Sequence, residues 1–271
     1  MMHPILFQWG PFEFRSYGLM LSLSFILGIY WTLRRAERRG IERPYIIELS
    51  VIVILCAIAG ARLLWVLTHV QHFQGRWLDT FNPLQSTGKI GISGLTLLGG
   101  FILSLAAIFI YCRIRQIPFF RLMDAAAPCM ALGIALTRIG CFLNGCCFGK
   151  PGDLPWCLVF PFFSPAGSVL QGLRLHPTQL YSALYGIVIL IILMVSERRA
   201  RPDGFLTGMF LISYGIFRMA VDFIRYYESS VQFSLMGIRL NVNQIICIGM
   251  IVAGFIILLV LKRSVKRSKM P

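Results

Sequence analysis

Residues 45–67 read YIIELSVIVILCAIAGARLLWVL, twenty-three positions that are apolar almost throughout. About 20 such residues carry a helix across the hydrocarbon core of a bilayer. The run is continuous rather than alternating, which excludes a barrel strand and leaves a helix whose backbone bonds are satisfied internally. Six further stretches repeat the pattern: Tyr17–Leu33, Leu95–Cys112, Met123–Leu143, Gln179–Ser196, Phe205–Phe223 and Gln244–Leu261. The fourth of the seven spans is the least regular, since it carries Pro128 and Arg138. The expectation is an all-α polytopic membrane protein with about seven transmembrane helices, forming a single integral membrane domain over residues 1–271.

Composition agrees. The 271 residues are 57% hydrophobic and 14% charged, against about 25% charged in an ordinary soluble domain. The mean hydropathy of +0.73 excludes disorder. Eight cysteines in a chain of this length are too sparse for a disulfide scaffold. The net charge of +15 does not point to nucleic acid, because the positive residues sit in short clusters between apolar runs. Such clusters suit anionic lipid and set orientation.

Sixteen of the 26 Lys and Arg fall on one side: Arg34, Arg35, Arg38, Arg39 and Arg43 between spans 1 and 2; Arg113, Arg115 and Arg121 between 3 and 4; Arg198, Arg199 and Arg201 between 5 and 6; and Lys262, Arg263, Lys266, Arg267 and Lys269 in the tail. The other side has seven: Arg15, Arg76, Lys89, Lys150, Arg174, Arg225 and Arg239. The rich side is predicted to be cytoplasmic, which puts the N-terminus outside. No basic region precedes the first span, so no cleavable signal peptide is expected. The outer connections are long, about 27 residues between spans 2 and 3 and about 35 between 4 and 5. That places recognition on the outer face. No internal repeat is visible, which argues against an inverted-repeat transporter.

Three arginines lie within or at the edge of spans: Arg62, Arg138 and Arg218. An Arg near the bilayer centre costs at least about 2.5–3.5 kcal/mol. All three fall at outer-leaflet depth, where guanidiniums would hold a phosphate bidentately. The alternative is that each snorkels or pairs internally, and Asp222, four residues after Arg218, is placed to neutralise it.

Around Arg138 the chain reads RIGCFLNGCCFGK (138–150). Its glycines allow close backbone approach, and Asn144 brings both donor and acceptor. Cys141, Cys146 and Cys147 follow a C-x4-C-C spacing that is not a standard zinc pattern. They read as small apolar cysteines, as partners in a disulfide with Cys157, or as catalytic or metal-binding thiols. His176 opens HPTQLY (176–181) at the start of span 5, as a cap, an orienting group or an acid/base. His3, His69 and His72 read as surface residues.

Taken in order, these segments resemble the prolipoprotein diacylglyceryl transferases, seven-span enzymes of the bacterial inner membrane. HPILFQWGPFEFRSYGLM (3–20), GARL (60–63), NPL (82–84) with GISGLTLLGG (91–100), RIGCFLNGCCFGK (138–150), HPTQLY (176–181) and DGFLTGMFLISYGIFRMAVDFIR (203–225) all have family counterparts. The resemblance implies transfer of the diacylglyceryl group from phosphatidylglycerol to the thiol of a lipobox cysteine in a prolipoprotein signal peptide. A thioether forms and glycerol phosphate leaves. It implies a site open to the outer leaflet and the periplasm, the lipid bilayer as a partner, no nucleic acid, no metal and no cofactor. Arg138 and Arg218 match the family's phosphate-binding arginines, and Tyr17, Asn144, Gly149 and Tyr214 match further functional positions. Gly99 and Gly100 match the span-3 motif. Arg62 joins the expected substrate-binding set, and His176 is the candidate base.

Four positions depart from the family. Leu98 stands where His, or in some members Tyr, precedes Gly-Gly. Cys141 replaces Asn, Cys146 replaces Glu, and Lys150 replaces Arg. Leu98 cannot move a proton. These departures raise three alternatives: a paralogue with another acceptor or donor, a non-catalytic lipid-binding or transport protein on the same scaffold, and a redox protein built on Cys146–Cys147.

Overall fold

A computed structural model describes residues 4–9, 12–68, 70, 96–227, 232–235 and 238–267. In chain order the elements are β1 (Ile5–Trp9), β2 (Phe12–Arg15), α1 (Ser16–Arg38), α2 (Arg43–Thr68), α3 (Leu97–Ile114), α4 (Phe119–Asn144), β3 (Leu158–Val159), α5 (Pro165–Val169), β4 (Arg174–Leu175), α6 (Thr178–Glu197), α7 (Phe205–Ile224), β5 (Gln232–Leu235), β6 (Ile238–Asn241) and α8 (Val242–Arg267). The protein is an all-α polytopic membrane protein, and its described strands pair as two-stranded ribbons.

All seven predicted spans are met by helices. Six of these are long and apolar enough to cross a membrane. The exception is the third, whose described apolar stretch, Leu98–Ile114, is shorter, about 26 Å at 1.5 Å per residue. Its predicted start, Leu95, lies outside the described residues. So do His3, His69, His72, Arg76, Lys89, Lys269 and the motif residues 82–84 and 91–94. The fourth span is helical through both Pro128 and Arg138.

The chain forms two compact units. One holds Leu33–Leu122 with Trp9–Phe12; the other holds Met123–Pro271 with Met1–Gln8 and Glu13–Thr32. In the first, α1 stops because Gly40 takes a left-handed conformation (φ 77°). This lets Gly40 N–H donate to the Glu37 carbonyl and Ile41 N–H to the Ala36 carbonyl, a Schellman stop. Helices α2 and α3 then pack backbone to backbone. A Cβ on Gly60 would meet the Gly99 carbonyl, a Cβ on Gly99 the Gly60 carbonyl, and a Cβ on Gly100 the Ala57 carbonyl at 2.6 Å. Small residues drive helix pairing of this kind in lipid. Thr96 Oγ1 donates to the Ala61 carbonyl (3.0 Å) and Ser104 Oγ to the Val53 carbonyl (3.2 Å). Toward the other end, Glu48 accepts from Tyr111 Oη (2.7 Å) and from Arg115 (2.9 Å), so its charge is matched where α3 ends.

In the second unit the core is built by α4, α6 and α7. Ala127, Ala131, Tyr185, Ile189, Leu193, Leu206, Phe210 and Val221 are buried together. Gly186 sits against Ala131 and Ala135, which lets α6 lie close on α4. Helix α7 packs on α8 through Gly208 against Gly254, and through Gly215 against the Cys247 carbonyl. Asp124, 2% exposed, fixes the start of α7. Its carboxylate accepts from Gly204 N–H (2.9 Å), Thr207 N–H (2.8 Å) and Thr207 Oγ1 (2.6 Å), an anion at a helix N-terminus.

Candidate active site

The segment after α4 is what brings the site residues together. It turns sharply at Gly145 (φ 70°) and Cys147 (φ 60°), and the second is an uncommon conformation for a residue with a side chain. The turn is tied on both flanks. Gln179 Nε2 donates to the Cys146 carbonyl (2.7 Å) and Thr178 Oγ1 to the Cys147 carbonyl (2.8 Å), both from the first turn of α6. Gly149 N–H donates to the His176 carbonyl (2.9 Å), His176 N–H to the Lys150 carbonyl (3.1 Å), and Lys150 N–H to the Ile224 carbonyl at the end of α7 (2.8 Å). Lys150 Nζ caps the Phe223 carbonyl (2.9 Å). A Cβ on Gly149 would meet the His176 Cβ (2.7 Å) and Thr178 Cγ2 (2.8 Å), so this glycine is required by packing alone.

Arg138 is half-buried, one turn and a half before the end of α4. It lies in electrostatic reach of Tyr185, Tyr214, Cys141 and Cys147, and among the described residues no carboxylate bonds to it. Arg218 is buried, 6% exposed, and is already matched. Its Nη1 donates to Asp222 Oδ1 (2.9 Å) and its Nη2 to Tyr227 Oη (2.9 Å), while Tyr227 donates to the same carboxylate (2.6 Å). The neutralisation of Arg218 by Asp222, one of the two alternatives open in the sequence, is what the structure shows.

Both arginines act on the same two phenols. Tyr185 and Tyr214 are 6.1 Å apart, ring centroid to centroid, in an edge-on arrangement, and Arg138 and Arg218 both bear on Tyr185. Tyr185 is 4% exposed. Its hydroxyl finds no hydrogen-bond partner among the described residues. Ser182, whose hydroxyl donates to the Thr178 carbonyl (2.7 Å), also bears on Tyr185. Tyr17, at the start of α1, lies in reach of Arg138 and the three cysteines, where Gly140 lets α1 approach α4 (Met20 Cβ at 2.8 Å from an added Cβ).

Of the expected site residues, the structure therefore brings Arg138, Arg218, Tyr214 and Tyr17 together, with Asn144 and Gly149 in the adjoining turn. His176 is occupied at the edge of that turn: its Nδ1 bonds Tyr181 Oη (3.1 Å), which also accepts from Trp156 Nε1 (2.7 Å). Arg62, Gly99 and Gly100 belong to the other unit. There Arg62 stacks over Trp65 at 5.2 Å, the glycines form the α2–α3 contact, and Leu98 is 41% exposed. Tyr185 is the residue the sequence reading missed. Its signal was its spacing, four residues after Tyr181 on a helix opened by a motif.

All eight cysteines are free thiols, so Cys157 is in no disulfide. Cys147 is held well below the ordinary thiol range, by hydrogen bonds from Cys141 and Cys146 and then by the charges of Arg225 and Arg138.

A polytopic membrane protein with an arginine–tyrosine cluster beside a glycine-rich turn is the class these features define. Residues 4–260 match the prolipoprotein diacylglyceryl transferase family. The chain is 34% identical over 259 residues to a phosphatidylglycerol–prolipoprotein diacylglyceryl transferase of Photobacterium profundum, covering 94% of this chain and 92% of the relative. It is 36% identical over 263 residues to the protein of the same description from Methylococcus capsulatus, with 94% of each covered. To that of Vibrio cholerae it is 33% identical over 258 residues, 94% and 90% covered. The chain belongs to the prolipoprotein diacylglyceryl transferase family.

Proposed function

We propose that this protein transfers the diacylglyceryl group of phosphatidylglycerol to the lipobox cysteine thiol of prolipoproteins, in the bacterial inner membrane, with its N-terminus periplasmic and its C-terminus cytoplasmic. The reaction forms a carbon–sulfur bond at the glyceryl carbon and breaks the bond from that carbon to the phosphate oxygen. The thiol loses its proton and glycerol phosphate leaves with the bond pair. Negative charge grows on phosphate in the transition state, so fixed cationic and hydroxyl donors lower the barrier.

The observation that carries the reading is that, among the described residues, Arg138 has no carboxylate partner and the nearby buried hydroxyl of Tyr185 has no hydrogen-bond partner. A phosphate oxygen satisfies both. Arg218, paired with Asp222, holds the tyrosine wall; Tyr17, Asn144 and Tyr214 border the lipid headgroup, and Gly149 keeps the turn closed. His176, bonded to Tyr181 through Nδ1, anchors the turn and is the candidate base. Arg62, Gly99 and Gly100 belong to the other compact unit. Electrostatics and positioning then supply most of the rate, which is how Leu98 is tolerated where relatives use a proton carrier.

The test is transfer from phosphatidylglycerol to a lipobox peptide in detergent. Transfer by the wild-type chain, abolished by replacing the peptide's cysteine with serine, is the expected result. No transfer by the wild type, with robust transfer by Leu98→His, would mean a lapsed or repurposed relative. Leu98 and Cys146, which replace a base and a carboxylate of the family pattern, favour one second reading, a paralogue with a different acceptor.

A further inference from the structure

The substitutions that remove family residues also create something. The Sγ atoms of Cys141, Cys146 and Cys147 all lie within 4.8 Å of one another. No other group of three such ligands occurs among the described residues. Cys141 is buried in the last turn of α4, while Cys146 and Cys147 are half-buried in the turn and reachable.

We propose that these three thiols form a binding site for a soft monovalent cation, with Cu(I) as its probe. The donor set is all sulfur, which selects soft metals over Mg, Ca or Mn. A trigonal ion with metal–sulfur bonds of about 2.3 Å needs sulfurs about 4.0 Å apart, so a small inward movement of the side chains completes the site. No His, Asp or Glu joins the group. A zinc ion would lack its fourth protein ligand, whereas three-coordinate Cu(I) does not need one.

Charge points the same way. Three thiolates and one Cu(I) sum to two negative charges. Two guanidiniums, Arg225 and Arg138, act on Cys147. The anionic complex is thus matched by two cations already in place. The scaffold is also set in advance: Cys146 N–H donates to the Cys141 carbonyl (3.1 Å), and the carbonyls of Cys146 and Cys147 are held by Gln179 and Thr178. The backbone is thereby fixed, as a preorganised ligand set requires, and the thiols are held only by weak contacts with one another and by one from Cys146 Sγ to the Cys141 carbonyl (3.7 Å). On binding, the thiols still protonated release their protons to solvent, and no electron is transferred.

The experiment is an anaerobic titration of the full-length protein, reduced with a phosphine, with Cu(I) against bicinchoninate as competitor. The expected result is one Cu(I) per chain, with an ultraviolet sulfur-to-copper charge-transfer band. Cys146→Ser and Cys147→Ser should each weaken binding by more than about a hundredfold, beyond the 10–100-fold typical of losing a supporting residue. Cys56→Ser should bind as the wild type does. Size-exclusion profiles and melting temperatures in detergent identify folded variants. If Cys141→Ser does not fold, the two turn variants carry the test. Three results would overturn the proposal: no binding against the competitor, stoichiometric Cu(I) retained by the folded double variant C146S/C147S, or displacement of Cu(I) by an equal concentration of Zn(II).

Discussion

Replacing Tyr185 by Phe removes one oxygen and leaves the ring. The ring is firmly held, stacked on Phe217 at 6.0 Å and edge-on to Tyr214. The hydroxyl is buried and unbonded among the described residues. A buried unsatisfied polar group costs about 1–3 kcal/mol. In lipid-free micelles Tyr185→Phe should therefore not destabilise the protein, and a gain on the order of 1 kcal/mol is expected. Activity should move the other way. A hydrogen bond to a charged phosphate is worth about 1.5–3 kcal/mol, and about 1.4 kcal/mol is tenfold in rate, so kcat/KM for transfer should fall by about ten- to a hundredfold. Thermal unfolding in detergent and the peptide transfer assay measure the two quantities on one preparation. A structural hydroxyl would give the reverse pattern. Destabilisation by 1 kcal/mol or more, or transfer unchanged by the substitution, would refute the assignment.

Arg138→Lys should lower transfer at least about tenfold even though charge is kept, because Lys lacks the bidentate fork; wild-type kcat/KM would count against phosphate binding there. Asp124→Ala removes three hydrogen bonds to the start of α7 and should cost about 2–4 kcal/mol, with Asp124→Asn losing less; unfolding in detergent reads both, and a loss below about 0.5 kcal/mol would contradict the cap. Leu98→His should leave transfer unimpaired, checked in the peptide assay. Alkaline phosphatase fused after Lys262 should be inactive, and an active fusion would reverse the proposed orientation.

The spans were legible because lipid imposes a length and a hydropathy that a chain cannot disguise. Their boundaries fell within a few residues of the helices even at α4, where Pro128 and Arg138 blur the signal: predicted 123–143, observed Phe119–Asn144. The β3–β4 ribbon was not legible, being two residues per strand, with Leu158 opposite Leu175 and Val159 opposite Arg174. Within the site, Arg138 and Arg218 stood out because charge in a span is expensive. Tyr185 did not, since a tyrosine in an apolar helix is unremarkable until its hydroxyl is seen to lack a partner among the described residues. The gathering of the three thiols was also hidden, because their convergence depends on the left-handed backbone of Gly145 and Cys147, not on a recognisable spacing.

The two arginines that looked alike in the sequence occupy different electrostatic states. Arg218 with Asp222 is a neutral buried pair, further bridged by Tyr227. Removing one partner of such a pair typically costs about 3–5 kcal/mol because the other charge is left bare. Loss of activity at Arg218 therefore mixes folding with chemistry. Arg138 has no carboxylate partner among the described residues, yet sits half-buried in a span. Its positive charge is a standing cost until an anion arrives. A lipid phosphate offers that anion in the geometry a guanidinium prefers, so binding and the relief of a buried charge are one event. The neighbouring turn feels the same charge: after the hydrogen bonds from Cys141 and Cys146, Arg225 and Arg138 help hold the Cys147 thiol below its ordinary range. On the proposed reading, the lipid phosphate and the thiol cluster both draw on Arg138, whose guanidinium has no carboxylate partner among the described residues.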